Sequence, residues 1–146
     1  MNHTRRSLLA TWLTCAALTA CGNRSQDELP PPPVAVDRNT TCSLDGMLLA
    51  DYRGPKAQLF VAGQDQPVFF CDTTELFSTL LAGEQQVHVR AVYVQDMART
   101  DWEQPRGQWF DARQGYFVIG SRRPGPMGPT IASFAAEADA SKFAAE

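Results

Sequence analysis

Apolar residues in this chain occur in two kinds of run: one continuous stretch, "SLLATWLTCAALTA", directly after Arg5 and Arg6, and a series of short runs from residue 41 onward. The short runs predict secondary structure. "AQLFV" and "VFF" are β-prone, Gly54-Pro55 marks the start of the first, and "GQDQP" supplies a turn between them, so together they predict a hairpin. Asp72 and Glu75 have capping-box spacing ahead of Leu76, Phe77, Leu80 and Leu81, which share one helical face, and Gly83 is placed to end that helix. "VHVRAVYV" sets Val87, Val89, Ala91 and Tyr93 against His88 and Arg90, the alternation of a half-buried strand. "QWFDA" and "YFVIG" are strand-like, and "RRPGPMGPT" reads as a stiff loop. "ASFAAEADASKFAA" spaces Phe134, Ala138 and Phe143 a turn or more apart, which predicts a helix. The whole is an α+β pattern of two small ββα-type units in tandem.

The continuous run has a different meaning. A pair of arginines before an apolar stretch too short to span a bilayer as a mature helix is the layout of an export signal. The run ends in Leu18-Thr19-Ala20-Cys21, which resembles the bacterial lipobox, so residues 1–20 are expected to be removed and Cys21 to carry lipid. Cys15 is lost with the signal. More than one acyl chain on Cys21 would hold the protein at the membrane without a transmembrane helix. From residue 21 to about 40 the chain has four consecutive prolines, no period and few large apolar residues, and it reads as a tether that adds nothing to the fold. Residues 41–146, roughly 105 in number, form one compact domain.

Charge and motif content exclude several functions. Without residues 1–20 the chain has 11 basic and 16 acidic residues, a net charge of −5, and no basic stripe to meet phosphates, so nucleic acid is not an expected partner. There is no Ser-His-Asp set, HExxH, GxGxxG or phosphate loop, and after signal removal His88 is the one histidine left. Asp96, Asp101 and Asp111 lie beside aromatics in turn-like segments, where acids serve mainly as caps. An enzyme is hard to build from this set.

The sulfurs remain. Cys42, Cys71, Met47, Met97 and Met127 are all the non-lipidated sulfur of the domain, and each methionine sits beside Gly, Pro or Asp rather than within an apolar helix face. Thiolate with thioether suits a soft ion of low coordination number, Cu(I) above all, whereas structural zinc wants four Cys/His ligands. Cys42 and Met47 are five apart and can converge only in a loop, which Gly46 allows. They form the core of the expected site, with Met97 or Met127 as a further sulfur and Asp45 or His88 as weaker donors. A Cys42–Cys71 disulfide is equally compatible with the spacing and an oxidising compartment.

At these residues the sequence resembles a known family. "GPKAQ", "YVQDM", "DWEQP", "QWFDAR", "YFVIGS", "GPMGPTIASF" and "ADASKFAAE" are similar, in order, to the NosL family of copper-binding lipoproteins that accompany nitrous oxide reductase. The resemblance covers residues 41–146. It implies a monomeric Cu(I) chaperone of two ββα-type subdomains related to the organomercury-lyase fold, delivering copper to nitrous oxide reductase through a membrane-bound Nos assembly complex. The expected location is periplasm-facing and lipid-anchored, with the outer membrane favoured over the inner and the choice between them left open. Three departures stand out. Asp45-Gly46-Met47 stands where many family members have Cys-Gly-Met, so the thiolate has either moved to Cys42, the favoured reading, or been lost, and Asp96-Met97-Ala98 replaces Asp-Met-Gly. Family members usually continue past the position of Glu146 through a His-Gly-Gly segment into a last strand, so either this is a natural short form or the end is missing, in which case the second unit lacks a closing strand and its edge is open. Two rival readings stay open: a thiol-disulfide module built on Cys42 and Cys71, and a scaffold lipoprotein without ligand.

Overall fold

The computed structural model describes residues 29–82 and 88–146. The expected signal, Cys21, most of the polar half of the tether, Gly83 and Val87 lie outside the described residues.

The predicted hairpin forms from β1 (Ala57–Val61) and β2 (Val68–Phe70), followed by α1 (Thr73–Leu81), β3 (Val89–Gln95) and β4 (Trp109–Asp111). These strands make one antiparallel sheet of order β2-β1-β3-β4. Its α1 face is the main core, where Leu76 meets Ala57, Leu59, Val61, Phe70, Val92 and Val94. Asp72 caps α1 as predicted, accepting from the Thr74 backbone N–H at 2.7 Å. Leu80 and Leu81, expected on the packed face, are exposed.

The alternation read into β3 holds at Val89, which packs against the main core, and then changes phase, and the strand is covered on both faces. A register shift at Phe60/Val61 interrupts the β1–β3 ladder, and beyond it Val92 and Val94 face the core while Ala91 and Tyr93 lie on the opposite side. That opposite side is covered too. Gln58 is fully buried and exchanges two hydrogen bonds with the Val34 backbone, N–H to Oε1 at 2.8 Å and Nε2 to carbonyl at 2.5 Å, while the Tyr93 hydroxyl donates to the Pro31 carbonyl at 2.7 Å. The proline segment is therefore laid across the second face of the sheet from Pro31 onward. The expectation that the chain up to residue 40 adds nothing to the fold does not hold there. Proline runs lack donors, but their carbonyls are free to accept, and Tyr93 uses one.

The second unit is β5 (Tyr116–Val118), β6 (Pro124–Gly125), β7 (Gly128–Pro129), β8 (Ala132–Phe134) and α2 (Glu137–Ala144). "QWFDA" belongs to the first sheet as β4, and β5 pairs with β8 instead. The stiff loop is a miniature β6–β7 hairpin. The predicted helix from Ala132 starts only at Glu137, because Ala132–Phe134 is a strand whose three residues are all buried. Phe134 and Phe143 still meet, with ring centroids 5.0 Å apart, in a second core with Met97, Trp102, Ala132 and Ala140. The two units are joined by buried polar contacts: the Ser133 hydroxyl donates to the Gln95 carbonyl at 2.6 Å, and the Thr130 hydroxyl to Asp72 Oδ1 at 2.7 Å. Among the described residues no helix is long and apolar enough to cross a membrane.

Candidate metal centre

A loop and a helix start create the site. Cys42 opens a tight loop in which its N–H donates to the Met47 carbonyl at 2.8 Å and its own carbonyl accepts from the Gly46 N–H at 3.0 Å. Gly46 takes φ +76°, the left-handed conformation a side chain would resist, and this is what lets positions five apart close on each other. The loop is fixed to the outer edge of β2, where Ser43 N–H donates to the Phe69 carbonyl at 2.8 Å and the Phe69 N–H to the Ser43 hydroxyl at 3.2 Å. Cys71 follows β2 and precedes the helix cap Asp72, so the same edge brings it under the loop.

The result is a cluster of Cys42, Asp45, Cys71 and Glu75 whose ligand atoms all lie within 4.8 Å of one another. Both cysteines are buried free thiols, not a disulfide, and both donate to the same carboxylate oxygen, Glu75 Oε2, at 3.4 Å each. Leu49, Val36, Phe69 and Met47 form the apolar wall. Desolvation by this wall pushes the Cys42 thiol above its ordinary value. Burial first and the Glu75 charge second push the Cys71 thiol far higher. These are protonated thiols at neutral pH, the reverse of the depressed values of reactive redox cysteines.

The sequence-predicted residues divide. Cys42 is one of the four clustered donors, Met47 packs against the same buried group as part of its apolar wall, and Asp45 is the donor at the exposed rim. Met97 is not brought to it: the side chain, 8% exposed, packs in the second core against Trp102 and Phe134. Met127 is 63% exposed in the β6–β7 turn. His88 is exposed where its carbonyl bonds the Ala62 N–H, at the end of β1 opposite the cluster, and a five-residue strand separates the two by about 15 Å. Cys71 was expected only as a disulfide partner, and Glu75 only as half of a capping box. Glu75 instead spends its carboxylate on the thiols, so the Asp-x-x-Glu spacing located the helix start correctly and misassigned the second acid.

Lys56 had no assigned role. It is 1% exposed, and its ammonium donates to the Arg53 and Gly54 carbonyls at 2.7 and 3.0 Å. Burial lowers its pKa to about 8, against the opposing pull of Cys71, Asp72, Glu75 and Cys42.

Comparisons with known proteins show which family the chain resembles. The NosL family model matches residues 33–146. The "Copper-binding lipoprotein NosL" of Stutzerimonas stutzeri is 37% identical over 140 residues, which cover 94% of this chain and 72% of that protein. The protein of the same name from Achromobacter cycloclastes is 31% identical, covering 97% of this chain and 74% of its own length. The crystal structure of the copper chaperone NosL from Shewanella denitrificans matches with TM-score 0.73 and 40% identity, over 77% of this chain and 87% of that one.

Proposed function

This chain belongs to the NosL family, and from that premise we propose that it is a carrier for Cu(I), held to the periplasmic side of a membrane by lipid on Cys21. The observation that carries the reading is the convergence of the Cys42 and Cys71 thiols with Asp45 and Glu75 within 4.8 Å, beside the Met47 thioether. Two thiolates suit Cu(I) and so does the thioether, while the carboxylates are too hard to dominate its binding. Asp45 and Met47 lie on the open side and Cys71 on the closed side, so a receiving protein can displace ligands from one direction. Such a site passes metal on rather than catalysing a reaction.

The thiols are protonated in the free protein, so loading releases protons and affinity rises with pH. The recipient we propose is nitrous oxide reductase with its membrane-bound Nos assembly complex, met by a monomer. Titration of the reduced protein with Cu(I) against a competing chelator tests the reading. One equivalent should bind with an affinity that falls by orders of magnitude in both C42S and C71S. Absence of stoichiometric binding, or binding that survives loss of both thiols, would overturn it.

A further inference from the structure

β1 and β2 pair with Ala57 opposite Phe70, so one step beyond the ladder the antiparallel register sets Lys56 opposite Cys71, on the same side of the hairpin. A lysine in this position is unusual, because a buried ammonium ordinarily has a carboxylate partner. Here its two hydrogen bonds go to carbonyls. The ion pairs among the described residues are Arg53 with Glu103, Arg113 with Asp111, and Arg123 with Glu146, none of which includes it. The acidic groups around it are those of the candidate metal centre and its helix cap: Cys71, Asp72, Glu75 and Cys42. Lys56 itself is locked in place, its N–H donating to Gln95 Oε1 at 3.0 Å and its carbonyl accepting from the Gln95 N–H at 3.3 Å.

We propose that Lys56 is the buried counter-charge of the thiol site and sets its preference for a monovalent over a divalent soft cation. The proposal rests on the copper reading above. Cu(I) on two thiolates leaves one net negative charge in an apolar pocket, with the Glu75 carboxylate alongside, and a fixed ammonium offsets it where water cannot. A divalent ion such as Zn(II) on the same thiolates is already neutral and gains nothing from Lys56. The residue acts through charge and touches no metal, which makes it a positioning residue.

The test is K56Q, which keeps N–H donors for the Arg53 and Gly54 carbonyls and removes the charge. Cu(I) and Zn(II) affinities of the reduced protein are measured in wild type and variant. Cu(I) affinity should fall about tenfold or more while Zn(II) affinity stays within about twofold. An equal loss for both metals, or no loss for Cu(I), overturns the proposal and leaves the copper reading standing. If the wild type binds no Cu(I), that reading falls by itself, and alkylation of the metal-free thiols as a function of pH decides on Lys56. K56Q should then need higher pH for the same rate, and superimposed profiles overturn it. Should K56Q fail to fold, NMR of the Lys56 ammonium in the wild-type protein reads the same coupling. Its titration midpoint must rise when Cu(I) is added, and an unchanged midpoint overturns the proposal.

Discussion

The two cores each bury sulfur, and they do so to opposite ends. In the second, the Met97 side chain packs against Trp102, Phe134, Ala132 and Ala140, and none of the clustered thiol and carboxylate donors is among these neighbours. In the first, Cys42 and Cys71 have a similar apolar wall of Leu49, Val36 and Phe69, but one carboxylate oxygen accepts from both thiols and a lysine is buried across the register. Burial of a soft side chain is therefore no sign of a metal site. The distinguishing feature is polarity retained inside the apolar wall, where unpaired groups are costly and persist only if something compensates them.

The largest effect that could break this comparison is loss of the thiols. In the double variant C42S/C71S, Cu(I) affinity should drop by at least about a thousandfold, roughly 4 kcal/mol, while thermal stability changes far less. A double variant that still binds Cu(I) tightly would show that the buried thiols are not the site and would overturn the proposed reading. Met97→Ala should do the reverse. Truncating a side chain in a closed core costs about 2–4 kcal/mol, and copper affinity should stay where it was. If M97A instead weakens binding without destabilising the fold, Met97 is a ligand in a rearranged loaded state.

How far the sequence anticipates this follows from the range over which each signal acts. Local signals are legible: the hairpin turn, the Asp72 cap, and the Gly46 loop that folds Cys42 toward Met47 depend on neighbouring residues alone. What the sequence hides is pairing across distance. "QWFDA" and "YFVIG" look alike, and nothing local says that one joins β3 and the other β8. "ASF" reads as the first turn of a helix because alanine favours helices, yet pairing with β5 makes it a strand. Glu75 has good capping-box spacing, and only the tertiary arrival of Cys42 on the β2 edge reveals a different use. Lys56 is the extreme case. A lysine after Gly-Pro is ordinarily a surface residue, yet Lys56 is 1% exposed and its ammonium donates to the carbonyl of Gly54, a residue packed so closely on Gly125 that an added Cβ would meet the Gly125 Cα at 3.2 Å.

A smaller effect separates the two faces of the first sheet. A chain beginning at Thr40 loses the Val34 and Pro31 contacts, exposes Gln58 and uncovers Tyr93. Two or three partly buried hydrogen bonds are worth about 2 kcal/mol together, so this chain should melt roughly 8–16 °C lower than one that includes residues 29–39. Equal melting temperatures would mean that the proline segment rests on the sheet without supporting it.

The smallest effect is a pH dependence of stability that only the first unit can produce. Lys56 has its pKa lowered from 10.5 to about 8 by burial, so between those values the unfolded chain binds more protons than the folded one. Stability contributed in this way rises with pH, by about 1 kcal/mol between pH 8 and 9. The thiols act with the opposite sign. Burial raises both above the ordinary 9.0, so once the pH passes that value the unfolded chain gives up protons that the folded one retains, and stability declines. The unfolding free energy of the reduced, metal-free protein, followed by urea titration, should climb between pH 8 and 9 and turn over above 9. K56Q should lose the climb, C42S/C71S the decline, and M97A should keep both at a lower overall level. A wild-type profile that falls steadily from pH 8 would mean that Lys56 reaches solvent and that no charged group is buried beside the thiols.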